Sequence, residues 1–147
     1  MAKDQVLVRR LKKGDATEIS KIYAEITKKP CDLDFKRIVG EEIRSETDAS
    51  FVAEVGGKVV AYMISYITFG NFGVDKCAWI ANFGVYPKLM GQGIGKRLAE
   101  GIFNHYRQQG VTNVFTSVIW DSTDLLSFFK TLGFDRSNFI NLRKSLE

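Results

Sequence analysis

Phe83-Gly-Val-Tyr-Pro-Lys-Leu-Met-Gly-Gln-Gly-Ile-Gly-Lys-Arg-Leu98 carries the chain from an apolar strand, through a proline turn, into a helix entered by alternating glycines at 91, 93 and 95. Side chains vanish where the backbone must turn, and main-chain N–H groups stand open. A helix that begins there aims unpaired donors and the positive end of its dipole at one spot. Such a cradle suits phosphate or pyrophosphate. A glycine-rich turn that only lets helix and strand pack closely is the plainer alternative.

The spacing separates the familiar phosphate binders. A Walker loop counted back from Gly95-Lys96 puts Met90 at its first glycine and Arg97 at its magnesium-binding hydroxyl, so it fails at both. A dinucleotide fingerprint needs glycine at position 96, where Lys96 stands. What remains is Val85-x-Pro87-x-x-Met90-Gly91-x-Gly93-x-Gly95. This resembles the acetyl-CoA motif of the GNAT superfamily of N-acetyltransferases, whose signature reads Arg/Gln-x-x-Gly-x-Gly/Ala. Met90 replaces the opening Arg or Gln, which removes one polar contact and leaves the amide cradle.

The elements follow outward from the cradle. Cys77 to Val85 reads as the strand that feeds the turn, with a longer turn at Gly70-Asn-Phe-Gly73 before it. Phe51 to Val55 and Lys58 to Ile67 flank Gly56-Gly57, a two-residue hairpin signal. Further back, Val6 to Val8 with Leu11 predicts a first strand. Asp15 with Glu18 predicts a capping-box start for a helix carrying Ile19, Ile22, Tyr23 and Ile26. Asp34 is placed to cap a second helix that buries Phe35, Ile38, Val39 and Ile43. Beyond the cradle, Ile94, Leu98, Ile102 and Tyr106 recur at successive helical turns, and Gly110 ends that helix. Val114 to Ile119 predicts a fifth strand, Thr123 to Thr131 a short helix, and Phe139 to Leu146 a final alternating strand.

That order, a hairpin-built half followed by a strand–helix–strand crossover, predicts a mixed α/β (α+β) fold with helices on both faces of one sheet. It matches, element by element, the layout of the GNAT fold, a central mixed, mostly antiparallel sheet. One domain over residues 1–147 is expected from the length.

The resemblance implies roles for particular residues. Main-chain groups of Phe83 and Val85 would hydrogen-bond pantetheine, and Gly91, Gln92, Gly93, Ile94, Gly95 and Lys96 would surround the pyrophosphate. Lys96 could equally be a solvated surface lysine. The family's second hallmark, a tyrosine, three residues, then Gly-Phe, reads here Phe129-Lys-Thr-Leu-Gly133-Phe134. Phe129 can pack on pantetheine but cannot protonate a departing thiolate as that tyrosine does. Either another group or water does so, or the thiol, already a fairly acidic leaving group, departs unaided. Ser122 falls at the family's cofactor-contacting asparagine.

An amine must lose a proton to become a nucleophile, so a base is sought. The strand from Trp79 to Val85 carries no acid, unlike the glutamate that some family members place there. Asp121, just past the fifth strand, is the candidate, although an Asp-Ser-Thr-Asp run is also an ordinary helix cap. His105, the sole histidine, reads as a surface residue, and Tyr62 and Tyr66 read as core rings or acceptor-pocket lining.

The expected activity is acetyl-CoA-dependent transfer of an acetyl group to a primary amine of a small molecule or protein, with acetyl-CoA as co-substrate and no metal. The alternative is a non-catalytic CoA-binding or regulatory protein of the same fold, suggested by Phe129 and the acid-free strand. A nucleic-acid module fits less well. The 21 Lys and Arg are spread along the chain, from Arg9-Arg10 to Arg143-Lys144, rather than massed in a stripe. Cys31 and Cys77 are too few for a disulfide framework or zinc site, and no apolar run suits a membrane span or signal peptide. A cytoplasmic location without membrane or nucleic-acid partners is therefore expected, and a homodimer through the last strands suits the family.

Overall fold

The computed structural model describes residues 5–71, 73–119 and 121–147. Phe72, in the stretch expected to turn before the cradle strand, and Trp120, next to Asp121 in sequence, lie outside the described residues. The order is β1 (Val6–Arg10), α1 (Asp15–Thr27), α2 (Phe35–Ile43), β2 (Phe51–Val55), β3 (Lys58–Asn71), β4 (Val74–Val85), α3 (Ile94–Gln108), β5 (Val114–Thr116) and α4 (Thr123–Thr131), with a 3-10 turn at Pro87–Leu89 before α3. Two compact units divide the chain, Met1–Phe115 and Thr116–Glu147.

In the first unit the strands lie in sequence order, β1 to β5, and β1 through β4 pair antiparallel. Alternation along β2 sorts the two faces. Val52 joins Leu11, Ile19, Ile22, Phe35, Val39 and Tyr62 in one cluster, so α1 and α2 cover that face. Phe51, the next residue round, lies 3.2 Å from where a Cβ on Gly101 of α3 would stand. The stripe of α3 predicted from its spacing is buried there: Ile94, Leu98, Ala99, Ile102 and Tyr106. Helices cover both faces, as the pattern required.

Two details shape β4. Ile64 pairs with Asn82 and Ser65 with Ile80, so Ala81 is an extra residue that bulges β4 shortly before the cradle turn. At Gly84 an added Cβ would sit 2.8 Å from both Ile26 Cδ1 and Tyr62 Cε1, which shows how closely α1 crosses this strand.

Asp34 caps α2 as predicted, accepting from the Arg37 N–H at 3.1 Å. Asp15 departs from its predicted capping role. It is the first residue of α1, whose N-cap is Gly14. Its carboxylate instead takes both Arg9 Nη1 and Nη2 at 2.8 and 2.9 Å, and the Lys12 N–H at 2.7 Å. Arg9 Nε also reaches Glu54. Burial pushes the Asp15 carboxyl up, but the guanidinium and the N–H outweigh it and hold it below the usual range. A buried carboxylate gains more from a charge-assisted fork than from a cap.

Strand lengths also differ from expectation. The β3–β4 hairpin runs on to Asn71 and starts again at Val74, beyond the predicted ends, while β5 stops at Thr116 instead of Ile119. Phe139 to Leu146 forms no strand among the described residues, and Ile140, Leu142 and Leu146 are 77, 83 and 91% exposed. Alternation marks a face, but a strand also needs a neighbour's ladder and a surface to bury against. Among the described residues, no helix is long and apolar enough to cross a membrane.

Candidate functional site

The cradle is built by the end of β4 and the start of α3. Phe83 pairs with Met63 and Val85 with Ala61, and the Tyr86 N–H donates to Val60 O at 3.0 Å, which fixes where the strand stops. Pro87 opens the 3-10 turn, closed by Leu89 N–H to Tyr86 O at 2.8 Å and Met90 N–H to Pro87 O at 3.3 Å. Gly91 and Gly93 then adopt φ of 80° and 79°, where L side chains are disfavoured. A Cβ built on either meets nothing within 4 Å, so the space over the turn is open.

Gly93 is the N-cap of α3 and offers no side chain. The helix ladder begins with Arg97 N–H to Gly93 O at 3.1 Å, so the N–H groups of Ile94, Gly95 and Lys96 point beyond the helix end. Ile94 and Gly95 are buried and root the turn, Gln92 and Lys96 are exposed, and no acid stands in the first turn to compete for the dipole. Bare amides, a helix N-terminus and an exposed lysine fit an anionic diphosphate. Met90, 58% exposed, adds no polar contact.

The other expected site residues lie in the second unit. Asp121 is exposed, and its carbonyl accepts from the Thr123 N–H at 3.1 Å. The Asp-Ser-Thr-Asp run does begin α4, with Ser122 as its N-cap residue and Asp121 one residue before it. Phe129 is buried, its ring edge-on to Phe128 and Phe134 with both centroids at 5.1 Å. The Phe134 N–H donates to Phe129 O at 3.1 Å, which folds the Gly-Phe hallmark back on the helix end.

Other readings sort cleanly. Tyr62 is a core ring, 1% exposed, edge-on to Phe35 and donating through Oη to Asn82 Oδ1 at 2.8 Å, whereas Tyr66 on the same face is partly exposed. Burial pushes the Tyr62 phenol well up. His105 is half-buried, its Nε2 3.0 Å from Thr47 O and its ring edge-on to Tyr106. Among the described residues, no group of three or more His, Cys, Asp or Glu could hold a metal.

One titrating group escaped the sequence reading. Glu42 stands beside Glu41 in α2, and no motif singles it out. Burial, then Asp48, pushes its carboxyl from 4.5 up to about 7, opposed by a hydrogen bond from Ser50. The folded chain therefore binds the Glu42 proton more tightly than the unfolded one, and stability falls as pH rises from about 4.5 to about 7. Urea unfolding of Glu42→Gln is expected to lose that slope and to exceed the parent in stability above about pH 7.

Residues 16–134 match the model of the acetyltransferase (GNAT) family. The fold superposes on an aminoglycoside acetyltransferase from an uncultured soil metagenomic sample, solved with trehalose, at a TM-score of 0.82 and 18% identity over 99% of both chains. A Bacillus halodurans C-125 protein described as a transcriptional regulator gives 0.81 at 19% identity, covering 96% of this chain and 99% of that one. Aminoglycoside N-acetyltransferase AAC(6')-Iy in complex with CoA gives 0.81 at 16% identity, covering 96% and 95%. No curated protein matches the chain in sequence. At such identities the structural likeness speaks for the fold alone.

Proposed function

The chain belongs to the GNAT acetyltransferase family, and from this we propose that it is an acetyl-CoA-dependent N-acetyltransferase acting on a primary amine of a small molecule or protein. The observation that carries the reading is the Gly91–Gly93 turn, whose left-handed glycines leave open the space that a diphosphate needs. Main-chain N–H groups from Gly91 to Lys96 would hold that diphosphate, with Lys96 adding charge. The β4 backbone at Phe83 and Val85 would orient pantetheine, and Ser122 and Phe129 would also contact the cofactor.

Acetyl-CoA supplies the activated thioester carbonyl. Nitrogen attacks it directly, the N–C bond forms as the C–S bond breaks, and no covalent enzyme intermediate is needed. Asp121 is the proposed acceptor of the amine proton, and solvent protonates the thiolate in place of a tyrosine at Phe129. Amine-bearing acceptors are in keeping with the aminoglycoside enzymes of the same fold. The family match runs from residue 16 to 134 and so includes residues of both units, which supports a single domain over 1–147. A cytoplasmic homodimer without a metal completes the proposal.

Acetyl-CoA turnover against an amine panel tests it. With an accepted amine, Asp121→Asn is expected to lower kcat about a hundredfold, as loss of a general base does. Undiminished kcat would release Asp121 from the role. The regulatory alternative, favoured by Phe129 and the acid-free β4, predicts tight CoA binding with no turnover on any amine.

A further inference from the structure

At the β1 edge of the sheet, three strands from β4, a cleft of about 370 Å³ opens between Arg10 and Leu11, the end of α2 and the loop into β2. Its volume is near the low end for small-molecule pockets, roughly 300–1,000 Å³. The lining mixes charge. Arg10 enters from β1, Glu42 from α2 and Glu46 from the loop, with Leu11 and Ile43 as apolar wall and Ser50 behind. None of these residues belongs to the cradle.

We propose that this cleft binds a free α-amino acid as its zwitterion, with the carboxylate on Arg10 and the ammonium between Glu42 and Glu46. Each half of the lining excludes the simpler ligands. A bare amine would meet the Arg10 guanidinium, and a bare carboxylate would meet two acids; a zwitterion satisfies both. Arg10 is also held in place by the loop. Its Nη2 donates to Ser45 O at 3.5 Å and Asp48 O at 3.1 Å, and a guanidinium carries five N–H donors, so others remain for a carboxylate. Leu11 and Ile43 offer contact to the ligand's aliphatic part.

The acidic wall is preorganised. Ser50 Oγ lies 3.1 Å from Glu42 Oε2 and 3.2 Å from Ser65 O, and it accepts from the Ser65 N–H at 3.0 Å. Ser65 Oγ in turn lies 2.8 Å from Tyr106 Oη of α3. The single Ser50 proton serves Glu42 when Glu42 is ionised and is free for Ser65 O when Glu42 carries its own. Occupancy and protonation are thereby linked. The charged groups around Glu42 are Arg10 from β1, Glu41 from α2, and Glu46 and Asp48 from the loop, with the Tyr106 phenol approaching from α3. Because an ammonium needs the carboxylate form, affinity should rise as pH passes upward through about 7, with release of one proton.

The test is a titration of the isotopically labelled protein with L-alanine, followed by its amide NMR spectrum above and below neutral pH. The expected result is saturable shifts at Ser45, Glu46 and Ser50, tighter on the alkaline side. Ethylamine and propionate, each half of the ligand, should bind at least about tenfold more weakly. Glu42→Gln, expected to fold stably, and Arg10→Gln should each weaken L-alanine binding about tenfold. The absence of saturable shifts at those amides with L-alanine and with L-arginine would overturn the proposal. So would equal binding of ethylamine, or unchanged L-alanine binding in a folded Glu42→Gln variant. Acetyl transfer enters none of these readouts.

Discussion

Gly93→Val is expected to weaken CoA binding by a hundredfold or more while leaving a folded chain. Gly93 sits at φ 79°, a conformation in which a β-branched residue is strained by about 1–2 kcal/mol. That strain lowers the melting temperature modestly. The larger effect is local, because the added Cβ and methyls occupy the open space over the turn, where nothing of the protein now lies within 4 Å. Hydrogen bonds to a charged group contribute about 1.5–3 kcal/mol each, so losing two of them costs around 3 kcal/mol or more. At about 1.4 kcal/mol per tenfold, this is at least a hundredfold in affinity. Gly93→Ala separates the causes, since it carries much of the backbone strain with far less bulk. Calorimetric titration with CoA alongside thermal melting reads both effects, and unchanged affinity in a folded Gly93→Val chain would contradict the assignment.

The second large effect is structural. Arg9 is the hub between β1, α1 and β2, holding Asp15 through two guanidinium nitrogens and Glu54 through Nε. Asp15 is buried and Arg9 largely so, with side-chain exposures of 8% and 17%. Surface pairs contribute at most about 1 kcal/mol, whereas breaking a fully buried pair costs about 3–5 kcal/mol. Arg9→Met keeps most of the stem's packing but strands both acids, so a loss of about 2–3 kcal/mol in urea unfolding at neutral pH is expected. The pH dependence gives the mechanism. The Asp15 carboxyl is held low in the folded parent, so its contribution is present above the unfolded value and disappears as pH falls through the folded one. In Arg9→Met that acid-side decline should shrink, and an unaltered pH profile would mean that the pair does not act as described.

What could be read from the residues, and what could not, divides along physical lines. Local rules worked where a residue's own backbone decides the outcome. The Gly56-Gly57 hairpin, the Asp34 cap, the whole of α4 and the glycine entry to α3 need only short-range chemistry. Asp15 misled because its spacing to Glu18 satisfies a capping rule, while the winning partner, Arg9, comes from a neighbouring strand. The Ala81 bulge and the raised Glu42 carboxyl depend on strand register and on burial by distant segments, neither of which has a local signature. For the last segment the alternation between Phe139 and Leu146 was legible, but whether a ladder forms is decided by a neighbour rather than by the segment.

In the candidate site, the glycine turn was legible because glycine spacing itself sets the backbone there, as the left-handed Gly91 and Gly93 show. Phe129 at the family's tyrosine position was equally visible, and its burial between Phe128 and Phe134 shows a ring packed as hydrocarbon. The proposed proton acceptor was least legible, since an exposed Asp121 carries no pattern that separates base from loop.

Isothermal titration of the unmodified chain with CoA bears most directly on the cradle. A saturable heat with one site per chain, lost in Gly93→Val, is the predicted result. No measurable heat from a folded sample would contradict the reading of Gly91 to Lys96 as a diphosphate site.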